Sequence, residues 1–148
     1  MRKLMCAALL LLAGYVSPVV AQGDKQSFFD MLPTKLRAVK SLSNHDPGFG
    51  GGNDFYILSR EFLRRGTVKE FKAMVRDRNP IVRAMGLLCL AQADTDGHYL
   101  TILLHTKDEE EVKLHEGCIV SMITVGEFAR RLLNNPYFLD PEGKPPAM

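Results

Sequence analysis

The 148-residue sequence lacks a long hydrophobic run, a surplus of charge and enough cysteines to build a disulfide framework. Its longest apolar run covers residues 4–16, whereas a bilayer-spanning helix needs roughly 20 apolar residues. No later segment is longer, so the sequence predicts no membrane span in the mature protein. Of the three cysteines, Cys6 lies within this apolar run. The other two, Cys89 and Cys118, cannot support a fold by themselves, so the structure must depend mainly on buried apolar side chains.

The N-terminus has the parts of a secretory signal. Arg2 and Lys3 precede the apolar run, and Val19 and Ala21 form the small pair before the expected cleavage site. We therefore expect residues 1–21 to be a signal peptide and the mature protein to be periplasmic or secreted. An uncleaved amphipathic anchor is the alternative interpretation of the same segment.

The charge balance gives no support for nucleic-acid binding. When Arg2 and Lys3 leave with the signal, Lys plus Arg falls from 19 to 17, which equals the 17 Asp plus Glu residues. Nucleic-acid affinity comes mainly from neutralising phosphates, so a formally neutral chain is not expected to bind DNA or RNA. The roughly 125 mature residues suit one compact domain with its own core.

Apolar residues recur at helical spacing along the mature chain, and the breaks between them carry capping residues. Thr67 and Glu70 have the spacing of a capping box, and Asn79 followed by Pro80 is a typical helix start. The predicted helices cover residues 27–43, 53–66, 67–77, 79–93, 99–104, 108–123 and 124–135. We therefore predict an all-α fold of about seven helices.

Two stretches of the chain share a capping pattern. Residues 67–71 and 124–128 both begin with Thr-Val and end with Glu-Phe, and each copy is followed by an Asn-Pro pair. Between them, Val82 aligns with Val112 at an offset of about 30 residues. A unit of about 30 residues built from two antiparallel helices is typical of a solenoid.

Residues 71–85 contain an apolar helix, a turn with Asp77 and Pro80, and a Val-Arg pair that opens a second helix. This arrangement resembles a HEAT-type repeat of the armadillo-like helical families. A looser match covers residues 107–120, where glutamate replaces the proline and lysine replaces the arginine. The resemblance spans residues 67–135, about half of the chain.

This resemblance implies that residues 22–136 form a small HEAT-like α-solenoid of stacked helix pairs. A compact, non-repeat helical bundle is the alternative. Residues 137–148 form a tail that cannot continue a helix because it contains three prolines and a glycine. We expect Tyr137, Phe138 and Leu139 to fold over the open apolar end of the stack, or else to dock into a partner.

No group of residues has the pattern of a catalytic or metal site. The serines lack an elbow motif and a placed base, and His98, His105 and His115 lack the three- or four-residue spacing of metal-binding pairs on a helix. The glycine-rich loop at residues 49–53 lacks the Lys-Ser/Thr ending of a phosphate loop. We predict no catalytic residue, no cofactor and no metal ion.

Cys89 and Cys118 fall on consecutive second helices of the proposed repeats, one step apart on the diagonal. Their predicted separation permits a disulfide without requiring one. In an oxidising compartment such a bond would persist. A Cys89–Cys118 disulfide and two free buried thiols both remain open at this point.

Charge is distributed unevenly along the mature chain. Residues 60–83 hold eight basic and three acidic residues, whereas residues 94–116 hold seven acidic residues and two lysines. Two opposed lobes create a dipole that can steer a charged partner or a second copy of the chain. The residues we expect to contact an acidic patch on a partner are Arg64, Arg65, Lys72 and Arg76.

Taken together, these patterns predict an exported, non-catalytic module that binds another envelope or secreted protein. One alternative is a periplasmic inhibitor, such as an immunity protein that blocks a wall-degrading toxin, although no residue here is specific to that class. A second alternative is an enzyme of unknown type, which a pocket holding two convergent titratable groups would favour. A homodimer is compatible with each of these functions.

Overall fold

A computed structural model of the protein describes residues 34–44, 54–93 and 97–140. Three predicted features lie outside these residues: the signal peptide at 1–21, the glycine-rich loop at 49–53 and the tail from 141 to 148. Among the described residues, no helix is long and apolar enough to span a bilayer.

The fold combines helices with a mixed sheet, so the prediction of an all-α, HEAT-like solenoid is wrong. The helices are α1 (Asp54–Arg65), α2 (Val68–Met74), α3 (Pro80–Ala93), α4 (Tyr99–Leu104) and α5 (Val125–Asn134). Residues 34–38 are also helical, and a 3₁₀ turn follows α4 at His105–Lys107. The strands are β1 (Leu42–Ser43), β2 (Glu111–Glu116) and β3 (Ile119–Thr124).

The sheet has the order β1-β2-β3, with β1 parallel to β2 and β2 antiparallel to β3. Leu42 pairs with Leu114, and Val112 pairs with Ile123, so these side chains share the face that packs on the core. Because β1 lies within the predicted helix at 27–43, the end of that helix is wrong as well.

The helix starts agree with the capping residues. The Thr67 N–H donates to Glu70 Oε2 (2.7 Å), and the Glu70 N–H donates to Thr67 Oγ1 (3.4 Å). Asn79 Oδ1 accepts from the Ile81 N–H (2.9 Å) and opens α3. Local hydrogen bonds of this kind satisfy N–H groups that the helix itself leaves unpaired, which is why the sequence predicted α2 and α3 correctly.

Helix α3 is the centre of the core. It packs against α1, α2, α4, α5 and β2, and it has buried residues on all sides. A helix that is apolar all round is stable only when other elements enclose it. The buried residues of α3 are Ile81, Val82, Ala84, Met85, Gly86, Leu87, Leu88, Cys89, Leu90 and Ala91.

A β-hairpin replaces the helix predicted at residues 108–123. In β2, buried Val112 and Leu114 alternate with exposed Glu111 and Lys113, and a two-residue period is typical of a half-buried strand. Gly117, with φ of 60°, occupies the first position of the two-residue turn, where both hairpin turn types I′ and II′ need a positive φ and favour glycine. The four carboxylates at residues 108–111 resemble the acidic first turn of a helix, which is why the sequence predicted a helix here.

The described residues do not form the predicted 30-residue repeat unit. Val82 lies on helix α3 and Val112 on strand β2, so the two aligned valines occupy unrelated environments. The similarity between residues 67–71 and 124–128 does correspond to similar helix starts, since Thr124 caps α5 as Thr67 caps α2. The likeness of residues 71–85 alone to a HEAT-type repeat stays a prediction.

The chain after α5 packs back onto the domain. The Phe138 ring contacts Phe128 edge-on, with centroids 5.4 Å apart, and Leu139 is buried. Asp140 accepts a hydrogen bond from the Tyr56 hydroxyl (3.0 Å) on α1. The start of the tail therefore joins α5 to α1.

Candidate functional site

A basic cavity opens where α2 turns into α3. Its volume is about 760 Å³, and three of its lining side chains are arginines. The helical residues 34–38 contribute one of them, and the α2–α3 loop together with the first residue of α3 contributes the rest of the lining. The lining residues are Arg37, Arg76, Asp77, Arg78, Asn79 and Pro80.

The α2–α3 loop is held in place by side chains on both of its ends. Arg83 Nη1 donates to the carbonyl oxygens of Asp77 (3.0 Å) and Arg78 (2.9 Å). The Asn79 N–H donates to Asp77 Oδ1 (2.9 Å), while Asn79 Oδ1 accepts from the N–H of Ile81. These bonds fix the backbone that carries Arg76 and Arg78, so the cavity wall is formed before any ligand binds.

Arg83 also links this loop to the loop before β2. Its Nε and Nη2 atoms bind Asp108 (2.8 and 3.2 Å), and Nη2 binds Glu110 (2.7 Å). Burial by itself lowers the pKa of Arg83, but the hydrogen bonds that Arg83 donates to Asp108 and Glu110 outweigh it and raise the pKa above its ordinary value. Arg83 is therefore a structural cation and not part of the open basic surface.

The cavity has an excess of positive charge. Arg37 forms an ion pair with Asp77 (2.7 Å), which is the one carboxylate among the lining residues. Arg76 and Arg78 are exposed and make no side-chain ion pair with any residue that the structure describes. Guanidinium groups bind carboxylate and phosphate groups through paired N–H donors, so this cavity suits an anionic group.

Of the four residues expected to contact a partner, Arg76 lines the cavity. Arg64 and Arg65, at the end of α1, both pair with Glu61 at 2.8 and 3.2 Å. The hydrogen bond from Arg64 lowers the pKa of Glu61. Lys72 lies exposed on α2. The positive charges of Arg64 and Arg65 are thus partly offset by Glu61 of their own helix. Arg76, by contrast, has no ion-pair partner among the described residues.

Two cavity arginines were not among the predicted contacts. Arg78 belongs to the same basic stretch and follows Arg76 by two residues, so its sequence position was a usable signal. Arg37 reaches Asp77 across 40 residues of sequence. No local pattern indicates a contact over that distance.

Arginines within the molecule neutralise part of the acidic stretch at residues 94–116. Asp108 and Glu110 neutralise Arg83, and Glu116 pairs with Arg131 (3.1 Å). The predicted dipole is therefore smaller than the counts along the sequence suggest. On the basic side, Arg76 and Arg78 lie at the cavity, whereas Lys69 and Lys72 lie exposed on α2.

His105 acts as a bridge within the structure. Its Nδ1 lies 2.8 Å from the Thr101 carbonyl oxygen, and its Nε2 lies 3.0 Å from the Val75 carbonyl oxygen. The ring thus joins α4 to the end of α2. His98 is buried. In residues 34–44, 54–93 and 97–140, no group of three or more His, Cys, Asp and Glu side chains is arranged to hold a metal ion.

Cys89 and Cys118 are both free thiols, so the disulfide left open by the sequence does not form in this structure. Cys89 is buried in α3, whereas Cys118 is exposed in the turn between β2 and β3. The predicted proximity of the two cysteines is wrong for the same reason as the predicted fold. Cys118 lies on a β-hairpin and not on a helix beside α3.

The two thiols are expected to differ sharply in reactivity. Burial raises the pKa of Cys89, and the thiolate is the reactive form. A maleimide added to the native, reduced mature chain should therefore label Cys118 alone, as read by peptide mass mapping. Labelling of both thiols only after denaturation is the expected control, and rapid labelling of native Cys89 would contradict the position of α3.

Comparison with the models of known protein families gives no match, and comparison with curated proteins gives no significant relative.

Proposed function

We propose that this protein is an exported, non-catalytic binding module of the cell envelope that holds an acidic segment of another protein in the basic cavity. The observation that carries the proposal is the pair of exposed, unneutralised guanidiniums of Arg76 and Arg78 beside Arg37. Export rests on the signal-like features of residues 1–21.

Three properties of the cavity favour a peptide carboxylate over a diffuse electrostatic attraction. Its backbone is braced by Arg83 and Asn79, so little backbone conformational entropy is lost on binding. Its arginines line an open depression of about 760 Å³ at the surface, where the side chains of a partner can reach them. Each guanidinium can form two parallel hydrogen bonds with one carboxylate, which adds geometric selectivity.

Charge reversal at the cavity is expected to abolish partner capture. In the double variant Arg76→Glu/Arg78→Glu, two charge-assisted hydrogen-bonding groups are lost, at about 1.5 kcal/mol or more each. The affinity should fall about 100-fold. The measurement is a pull-down from envelope extract with the mature chain as bait, followed by calorimetry on the captured protein. Capture should also weaken as salt is raised.

The matched control is Lys107→Glu/Lys113→Glu, which makes the same change in net charge at two exposed lysines away from the cavity. This variant should capture the partner as the unaltered chain does. Circular dichroism should show all three proteins folded. Equal capture by the two double variants, or capture of wall fragments without a stoichiometric protein, would exclude the proposal.

A further inference from the structure

The basic cavity contains a carboxylate of its own. Asp77 lies between Arg76 and Arg78 in the sequence and is the acidic residue among the described residues that line the cavity. Its Oδ2 atom lies 2.7 Å from Nη2 of Arg37, and its Oδ1 atom accepts the Asn79 N–H at 2.9 Å. The Asp77 side chain therefore occupies one of the three cavity arginines in the way that the carboxylate of a ligand would.

The ion pair between Arg37 and Asp77 is more exposed and less closely bonded than the one at Arg83. The Arg83 and Asp108 side chains are 12 % and 17 % exposed, and Arg83 donates to Asp108 through both Nε and Nη2. The Arg37 side chain is 51 % exposed and contacts Asp77 through Nη2 alone. Exposed ion pairs contribute little to stability because water solvates the separated charges well. The Arg37–Asp77 pair can therefore exchange partners, whereas the Arg83–Asp108 pair is a fixed part of the fold.

We infer, on the basis of the function proposed above, that Asp77 competes with the carboxylates of the ligand for Arg37. A first ligand carboxylate binds Arg76 or Arg78, which make no side-chain ion pair with any described residue. A further carboxylate gains Arg37 only by displacing Asp77. Carboxylates on the same bound segment do so most readily, because attachment gives them a high effective concentration at the cavity. Asp77 thus makes the cavity selective for segments that carry several neighbouring carboxylates.

Asp77→Asn separates the two roles of this side chain. The amide keeps an Oδ1 acceptor for the Asn79 N–H, so the turn that carries Arg76 and Arg78 is retained. It removes the negative charge that holds Arg37, which then binds the ligand without first losing a partner. The affinity for an acidic peptide should rise about tenfold, as expected for one further charge-assisted hydrogen bond. Asp77→Ser, whose hydroxyl also accepts an N–H two residues further on, should act in the same direction.

The measurement is a calorimetric titration of the full mature chain with a short, capped polyglutamate peptide at constant, low ionic strength. Glu111→Gln is the matched control, since it removes the same charge from an exposed residue of β2 outside the cavity lining. Its affinity should stay within about twofold of the unaltered chain, because solvent and salt screen a distant surface charge. Equal strengthening by Glu111→Gln and Asp77→Asn would mean that net charge alone sets the affinity, and would overturn the inference.

A double-mutant cycle tests whether Asp77 acts through Arg37. In the Arg37→Gln background no guanidinium is released, so Asp77→Asn should strengthen binding by about threefold or less, the effect of removing a nearby negative charge. The same gain in both backgrounds would show that Asp77 acts only through its own charge, and the inference would be wrong. Binding by the unaltered chain that neither Asp77→Asn nor Asp77→Ser strengthens would reject the inference and leave the proposed function standing. Absence of peptide binding by the unaltered chain and by both variants would reject the two together.

Discussion

Replacing Arg83 by alanine is expected to lower the free energy of unfolding by about 3 kcal/mol. The Arg83 side chain is only 12 % exposed and binds Asp108, which is 17 % exposed. Removing one member of a largely buried ion pair leaves the other charge without its partner, which typically costs about 3–5 kcal/mol. We take the lower end of this range because Glu110 remains 53 % exposed and can be solvated.

The loss should exceed what a single hydrogen bond contributes, because Arg83 makes contacts in two directions. It holds the α2–α3 loop through the carbonyl oxygens of Asp77 and Arg78, and the loop before β2 through two carboxylates. Arg83→Lys keeps the charge but cannot reproduce the planar, five-donor geometry. The free energy of unfolding of this variant, measured with urea, should therefore lie between those of the unaltered protein and Arg83→Ala.

Arg130→Ala is the matched control for this experiment. Arg130 is an exposed arginine whose Nη1 donates to the Thr106 carbonyl oxygen at 2.8 Å. It forms one solvent-accessible hydrogen bond, so its removal should change the free energy of unfolding by about 1 kcal/mol or less. If Arg83→Ala and Arg130→Ala had the same effect, Arg83 would not be the link between the two loops.

The helices of this protein were predictable because their signals are local. Thr67, Asn79 and Thr124 each hydrogen-bond to a backbone N–H two or three residues further along the chain. Such contacts depend on a few neighbouring residues and can be recognised in the sequence alone. Helix α1 also ends before Gly66, as expected.

The sheet was not predicted because its stability comes from distant contacts. β1 pairs with β2 across about 70 residues, and the Gly117 N–H donates to Asn44 Oδ1 (3.3 Å). Local signals conflicted with this pairing, since four carboxylates at residues 108–111 favoured a helix start. The alternation of Val112 and Leu114 was the contrary signal, and the apparent repeat with Val82 concealed it.

The residues of the candidate site were likewise predictable only where the signal is local. Arg76 was predicted from the basic stretch that contains it, but Arg83 in that stretch turned out to be an internal structural cation. Arg37 could not be assigned to the cavity without knowing that residues 34–38 pack beside Asp77. Sequence counts therefore indicate the sign of a surface, whereas the fold decides which charges remain free to bind.

Replacing Gly126 by alanine is expected to lower the free energy of unfolding by about 3 kcal/mol, even though alanine is the better helix former. A Cβ atom at this position would lie 2.6 Å from the Thr106 carbonyl oxygen and 2.8 Å from that of Asp108. Both are backbone atoms, so the loop itself must move. That movement also strains the hydrogen bond from the Gly126 N–H to Asp108 (2.8 Å).

The direction of the change makes this a strict test. On helix propensity alone, Gly→Ala in a helix stabilises by about 0.5–1 kcal/mol, which is opposite in sign to the loss expected here. Lys69→Ala is the matched control, because Lys69 occupies the equivalent position after Thr67 and is exposed on α2. Its effect should stay within about 0.5 kcal/mol.

Gly126 and Arg83 both contact Asp108 in the loop before β2, so their effects should not add. Once Arg83→Ala has released Asp108, the loop can move away from α5, and a Cβ at Gly126 becomes less costly. The double variant should therefore be more stable than the sum of the two single losses implies, by about 0.5–3 kcal/mol in the double-mutant cycle. Strict additivity would mean that the two residues stabilise independent parts of the structure, and a stabilising Gly126→Ala would mean that the loop does not approach α5 as described.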